Sequence, residues 1–224
     1  LLMGGTWSSD SGDGIDDRCV FVTDAGEVAI YAGNDPGDVN NWSLQGIYDI
    51  GDVMGRDAAI NIAGDLAFGT IDGIIPLSAA VSKDPAQLKV ASIASNIAPD
   101  WARDVALANS PWRVTRWPRG NMLIATPIGA IADSRIYVSN LSTGAWATIT
   151  GWHVGDIQAP GTGLYLGSKD GTINRAWLGG TDKGAPFVCR GALPFDPCGN
   201  PAAIKVARAM RTVWRVTAGL LVDA

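Results

Sequence analysis

The chain is poor in the residues that most often carry chemistry. Of 224 residues, three are cysteine, one is histidine (His153) and one is glutamate (Glu27). A single histidine excludes zinc centres of the ordinary Cys/His type. A single glutamate, at the start of a strand-like run, does not supply the pair of positioned carboxylates a glycosidase needs. The cysteines, Cys19, Cys189 and Cys198, form an odd set without a C-x-x-C pair, unlike the disulfide framework of a small secreted domain. They point to synthesis in a reducing compartment. Cys189 and Cys198 lie in a Pro/Gly-rich stretch and are either two buried thiols or a pair. Charge is scarce too, at 17% of residues against about a quarter in an average soluble chain. No apolar run reaches the roughly 18–20 residues of a bilayer span. Leu1 to Gly14 turn acidic where a signal peptide begins basic. Position 1 is leucine and the chain opens in mid-pattern, which reads as an interior or processed piece of a longer polypeptide.

What is present is core-forming material: 47% apolar residues, 28 glycines and nine tryptophans. Such a composition excludes disorder and suits one large domain. The net charge of −5 is unevenly spread, because residues 1 to 60 hold 11 of the 22 acids against only Arg18 and Arg56. Between 201 and 215 the balance inverts, with Lys205, Arg208, Arg211 and Arg215 and no acid among them. This basic stripe is the candidate site of the sequence. It suits a solvated face, a phosphate contact or a subunit interface.

The chain reads as repeated hairpins. Cys19 to Thr23 and Glu27 to Tyr31 are β-branched and aromatic runs flanking a short turn that contains Gly26. A loop of Gly, Asn, Asp and Pro follows, and Trp42 to Ile50 reads as the next strand, closed by Gly51. Leu66 to Ile75 recurs as Leu164 to Ile173 at a constant offset of 98, with five of ten positions identical. Upstream of each copy, Trp42 to Asp52 has its counterpart in Trp146 to Asp156. Both copies are expected to end in a hairpin closed by Asp-Gly, Asp72-Gly73 and Asp170-Gly171, in type I′ geometry. The spacing equals two units of the length of a four-stranded propeller blade. The fold class expected is therefore all-β, a partial β-propeller, with one inserted amphipathic helix.

That helix is placed at about 85 to 97. Asp84, Pro85 and Gln87 offer an N-cap, a first-turn proline and a capping-box partner. Val90, Ile93, Ala94 and Ile97 fall on one face, and Pro99 is the expected stop. After a tryptophan-rich link, strands resume at Asn121 to Thr126 and Arg135 to Ser139. Residues 1–185 form the propeller blades, and 186–224 form further strands that continue the propeller or belong to a neighbouring platform. Within that tail, Ile204 to Val216 suits a bulged strand or a helix, and strand is favoured for its β-branched content.

Catalytic constellations are not apparent. There is no G-x-S-x-G, and His153 reads as a core or interface residue between Trp152 and Val154. Most aspartates sit beside Gly, Pro or Asn, where they serve turns. Ser8 to Gly12 begins like an Asp box without its closing tryptophan, and Gly161 to Gly167 resembles a dinucleotide loop but leads into a strand. Asp10, Asp13, Asp16 and Asp17 lack the glutamate of an EF-hand loop. No cofactor is expected.

The run Gly12-Asp-Gly-Ile-Asp-Asp17, the hairpin Val20 to Pro36, Trp42 to Tyr48 and Asp72 to Ser78 resemble the tail nozzle (tail tubular protein B-like) family of short-tailed bacteriophages. Ser139 to Trp152 and Tyr165 to Ile173 are similar to the later blades of that family. The resemblance implies a non-enzymatic virion protein, made in the host cytoplasm and built into the phage tail. It implies a ring of copies, typically six, between the tail adaptor and the fibre or spike proteins, with genomic DNA passing only in transit. It carries over no catalytic residue. A stable fold is expected in the ring rather than in an isolated monomer. The alternative from another class is a carbohydrate-binding or other ligand-binding propeller, in which exposed tryptophans stack on sugar rings.

Overall fold

A computed structural model of the chain describes residues 1–8, 17–62, 64–108, 110–129, 135–179, 181 and 184–186. Two compact units are present, Leu1–Ala176 and Trp177–Ala224. Lys205, Arg208, Arg211 and Arg215, Cys189 and Cys198, the strands expected beyond 186, and Asp10, Asp13 and Asp16 lie outside the described residues.

The first unit is all-β with a helical insertion. Its first sheet is an antiparallel meander of β1 (Met3–Ser8), β2 (Asp17–Val22), β3 (Glu27–Gly33) and β4 (Trp42–Asp49). The second holds β5 (Ala59–Ile62), β6 (Asp65–Thr70) and β7 (Gly73–Pro76). The third holds β8 (Trp112–Trp117), β9 (Met122–Pro127), β10 (Ile136–Asn140) and β11 (Trp146–Ile149). The fourth holds β12 (Val154–Gln158), β13 (Tyr165–Ser168) and β14 (Ile173–Arg175). Two strands were not expected. β1 is Gly-Gly-rich, which hides its alternation, and β8 falls in the tryptophan-rich link before Asn121.

The sequence repeat maps onto equivalent places. Trp42 and Trp146 each open the last strand of a four-stranded sheet, and the two Asp-Gly segments each join the last two strands of a three-stranded one. Both Asp-Gly segments are hairpin turns, but not of type I′. In the second, Lys169 and Asp170 form the turn and only Gly171 has positive φ (+79°), with the Gly171 N–H donating to the Ser168 carbonyl at 3.1 Å. Thr23 to Glu27 repeats this geometry with Gly26 at φ +80°. Each is a type I turn followed by a left-handed glycine that forms a bulge, the usual three-residue hairpin. At Thr70 to Gly73 the turn residues are Ile71 and Asp72, and again glycine alone has positive φ.

These matched turns yield a prediction. A Cβ at Gly26 would lie 2.1 Å from the Gly51 carbonyl oxygen, whereas one at Gly171 would meet nothing within 4 Å. Gly171→Ala is expected to cost only the left-handed strain, about 1 kcal/mol. Gly26→Ala adds a backbone collision and should cost at least about twice that by urea denaturation. Equal costs would mean that the corner of the first sheet yields freely.

The insertion differs from the single helix expected. It comprises α1 (Leu77–Ser82), a 3-10 turn Pro85–Gln87, α2 (Leu88–Ala91), a second 3-10 turn Ser95–Ile97, and α3 (Ala98–Leu107). The Asp84 side chain does cap, accepting the Ala86 N–H at 2.9 Å. The helix breaks at Ser92 because its hydroxyl is engaged by β7, accepting the Ile74 N–H at 2.9 Å and donating to the Ile74 carbonyl at 3.2 Å. Consequently Val90 is exposed while Leu88 and Ala94 are buried. Pro99 starts α3 instead of stopping a helix, since a first-turn proline lacks only an N–H that would have no partner there.

The sheets pack in chain order. Val20, Ile30, Phe68, Ile74, Trp101, Trp112 and Leu123 share one core, built from the first three sheets and the insertion. Ile124, Ile136 and Val138 of the third sheet face Val154, Ile157 and Leu166 of the fourth in another. The first strands of the last three sheets are neighbours, β5 beside β8 and β8 beside β12. Backbone bonds link these sheets directly: Val114 N–H donates to the Asp57 carbonyl at 2.9 Å and Gly129 N–H to the Gly155 carbonyl at 3.0 Å.

Candidate functional site

Six of the fourteen described aspartates hold turns, as their sequence neighbours suggested, and several of the rest serve tertiary bonds instead. Asp24, Asp35, Asp38, Asp49, Asp84 and Asp170 each accept a backbone N–H one or two residues ahead, at 2.9–3.1 Å. Asp65 joins three elements, accepting Trp7 Nε1–H at 3.0 Å and the Ser78 hydroxyl at 2.5 Å. His153 precedes β12 rather than lying within a strand, and it is half-buried. Gly161 to Gly167 forms a turn and enters β13, as its sequence implied. Among the described residues no group of three or more His, Cys, Asp or Glu side chains is arranged to hold a metal. No helix among them is long and apolar enough to cross a membrane.

Two ionic networks tie the unit together. The buried Asp104 of α3 accepts the Tyr137 hydroxyl at 2.6 Å and lies 3.1 Å from Arg103 Nε and 3.4 Å from Arg135 Nε. Burial, with the bond to Asp104, holds the Tyr137 hydroxyl well above the ordinary phenol range. Asp100, bonded by Arg103 and also by Arg135, is held below the usual carboxylate range. In the second network Arg113 of β8 reaches Asp57, just before β5, at 3.4 Å and pairs with Asp156 of β12. Gln158, with its amide oxygen toward Arg113, accepts from it at 2.8 Å. One guanidinium thus clamps three successive sheets at their first strands. One arginine among the several of a tryptophan-rich link carried no signal of this in the sequence.

The tryptophans are mostly structural. Trp7, Trp101, Trp112 and Trp117 are buried. Three indole N–H groups donate to backbone carbonyls: Trp101 to Thr70 at 3.0 Å, Trp117 to Thr162 at 3.0 Å and Trp146 to Ile93 at 3.3 Å. Among the described tryptophans only Trp177, at 44%, counts as exposed. An open groove of about 690 Å³ between Met54, Ile71 and Trp112 is lined by no charged side chain, so it offers little to orient a polar substrate.

The feature that sequence reading missed is the outer face of the first sheet. Val20, Val22, Val28 and Ile30 point into the core, so alternation turns Cys19, Phe21, Ala29 and Tyr31 to the other side. There the register sets Ile47 beside Ala29 and Leu44 beside Tyr31. Tyr31 stacks on Trp42 at 5.5 Å between centroids and meets Phe21 edge-on at 5.8 Å. Ile47 and Leu44 remain 62% and 47% exposed. The available signal was that both alternating sets of β2 and β3 are apolar, which marks a strand covered on two sides. No protein-family model and no curated protein sequence matches the chain.

Proposed function

We propose that this chain is a virion structural protein, a ring-forming component of the tail nozzle of a short-tailed phage. Its sheets act as successive blades of a partial propeller within each subunit, and the ring of subunits encloses the channel through which the genome leaves. The observation that carries the reading is the side-by-side run of β5, β8 and β12, the first strands of consecutive meanders. In a propeller those strands lie nearest the axis. The role is mechanical: the buried and half-buried ionic groups are engaged in holding sheet to sheet and helix α3 to its sheet. Copies of the chain form the ring, a hexamer, with tail adaptor and fibre or spike proteins at its ends. A sugar-binding propeller is the weaker reading, because the described tryptophans offer few open indole faces.

Electron microscopy of the purified chain tests this directly. Closed rings with an axial channel are expected, and a compact monomer at every concentration would overturn the reading. Duplex DNA in transit should not be gripped, since each neutralised phosphate adds salt-dependent affinity. Fluorescence anisotropy is therefore expected to detect no duplex binding at physiological salt. Submicromolar, steeply salt-dependent binding that is abolished by neutralising Lys205, Arg208, Arg211 and Arg215 would make that stripe a DNA contact instead.

A further inference from the structure

We propose that the outer face of the first sheet receives residues 204–216 of a second copy, so that ring contacts run head to tail. The inference rests on the ring reading above and names its contact surface. The face is apolar at its centre, where Phe21, Tyr31, Trp42, Leu44 and Ile47 adjoin. It is open in the single chain, with Ile47 at 62% and Leu44 at 47% exposure. An exposed contiguous apolar surface of this kind marks an interaction site.

Its charges are of one sign. By strand alternation Asp17, Glu27 and Asp49 lie on the same face, all three exposed. Asp24 and Asp35 stand exposed in the adjoining loops. The only base between 17 and 49 is Arg18, whose guanidinium lies over the Trp7 ring at 5.2 Å. Two such faces cannot pair with each other without opposing their acidic rims, which disfavours a two-fold contact. A different patch of the second copy must meet the face, and contacts between unlike patches build rings or filaments.

One segment of this chain complements the face in both respects. Ile204-Lys-Val-Ala-Arg-Ala-Met-Arg-Thr-Val-Trp-Arg-Val216 has eight apolar residues, four bases and no acid. Its apolar side chains would cover the aromatic centre, and its bases would meet Asp17, Glu27 and Asp49. Aromatic and arginine-rich chemistry of this kind is favoured at the cores of protein interfaces.

Charge exchange between copies of the full 224-residue chain tests the proposal. One variant carries Asp17→Lys and Glu27→Lys, and the other Arg208→Glu and Arg211→Glu. Sedimentation velocity across a concentration series should show each variant alone assembling at least tenfold less readily than the parent. An equimolar mixture should recover assembly to within about threefold, because each swapped face then meets an oppositely swapped segment. Variants that assemble like the parent would overturn the docking surface while leaving the nozzle reading standing. Failure of the mixture, with recovery when all four changes share one chain, would assign the contact to the same chain and also overturn it. A parent chain that never assembles removes the ring reading itself.

Discussion

Trp101→Ala should unfold at a much lower urea concentration than the parent chain, with a loss of about 3–5 kcal/mol. Trp101 is 1% exposed and fills the space where α3 meets two sheets. Its ring lies 4.9 Å from Trp112 and 5.6 Å from Tyr137, distances at which aromatic pairs add to simple burial. Its N–H donates to the Thr70 carbonyl at 3.0 Å, so truncation also strands a buried acceptor, at about 1–3 kcal/mol. The loss corresponds to a fall in melting temperature on the order of 10 °C, measured at fixed protein concentration because assembly shifts apparent stability. Trp101→Phe keeps most of the stack and drops only the hydrogen bond. It should cost well under half as much. A Trp101→Ala chain within about 1 kcal/mol of the parent would show that α3 does not anchor the second and third sheets.

Arg113→Met is the second large effect, and its character differs. The Arg113 side chain is 16% exposed, while those of Asp57 and Asp156 are 36% and 47% exposed. Breaking a fully buried pair costs about 3–5 kcal/mol. Here the stranded carboxylates are half in water, so about 1.5–3 kcal/mol is expected. Arg113→Lys should recover little of it, because a point charge cannot reach Asp57, Asp156 and Gln158 together as the guanidinium fork does. The coupling is measurable by a double-mutant cycle with Asp156→Asn. A cycle energy below about 0.3 kcal/mol would mean that the clamp is a surface ion pair without mechanical consequence. Hydrogen exchange should further show β12 losing protection ahead of β8 in Arg113→Met, since the clamp joins those two strands.

Much of the fold was legible because hairpins are local. Thr23 to Glu27 and Ser168 to Thr172 each place glycine where the backbone needs positive φ, and their flanking runs alternate as strands do. The turn class was misjudged, since Asp-Gly is shared by type I′ turns and by type I turns with a following bulge. What separates them is which residue begins the turn, and the cross-strand register sets that. Six aspartates were also legible as turn formers, because their N–H partners lie within two residues, whereas Asp65, Asp104 and Asp156 find their partners in distant elements.

Local sequence determined the strand runs, their glycine-closed turns, the Asp84 cap and the repeat that places Trp42 and Trp146 at equivalent strands. All of these depend on interactions between residues close in the chain, whose geometry is set by backbone sterics. The tertiary structure decided the rest. Ser92 ends α2 because Ile74, 18 residues earlier, engages its hydroxyl. Arg113 is a clamp because Asp57 and Asp156 approach it from two other sheets. Pro99 starts a helix because the chain has already broken at Ser92. Phe21, Tyr31 and Trp42 form an outer face because Val20 and Ile30 take the core side first. In each case the deciding partner is distant in sequence, and no local preference of about 1 kcal/mol outweighs satisfying a buried hydrogen bond or covering a core.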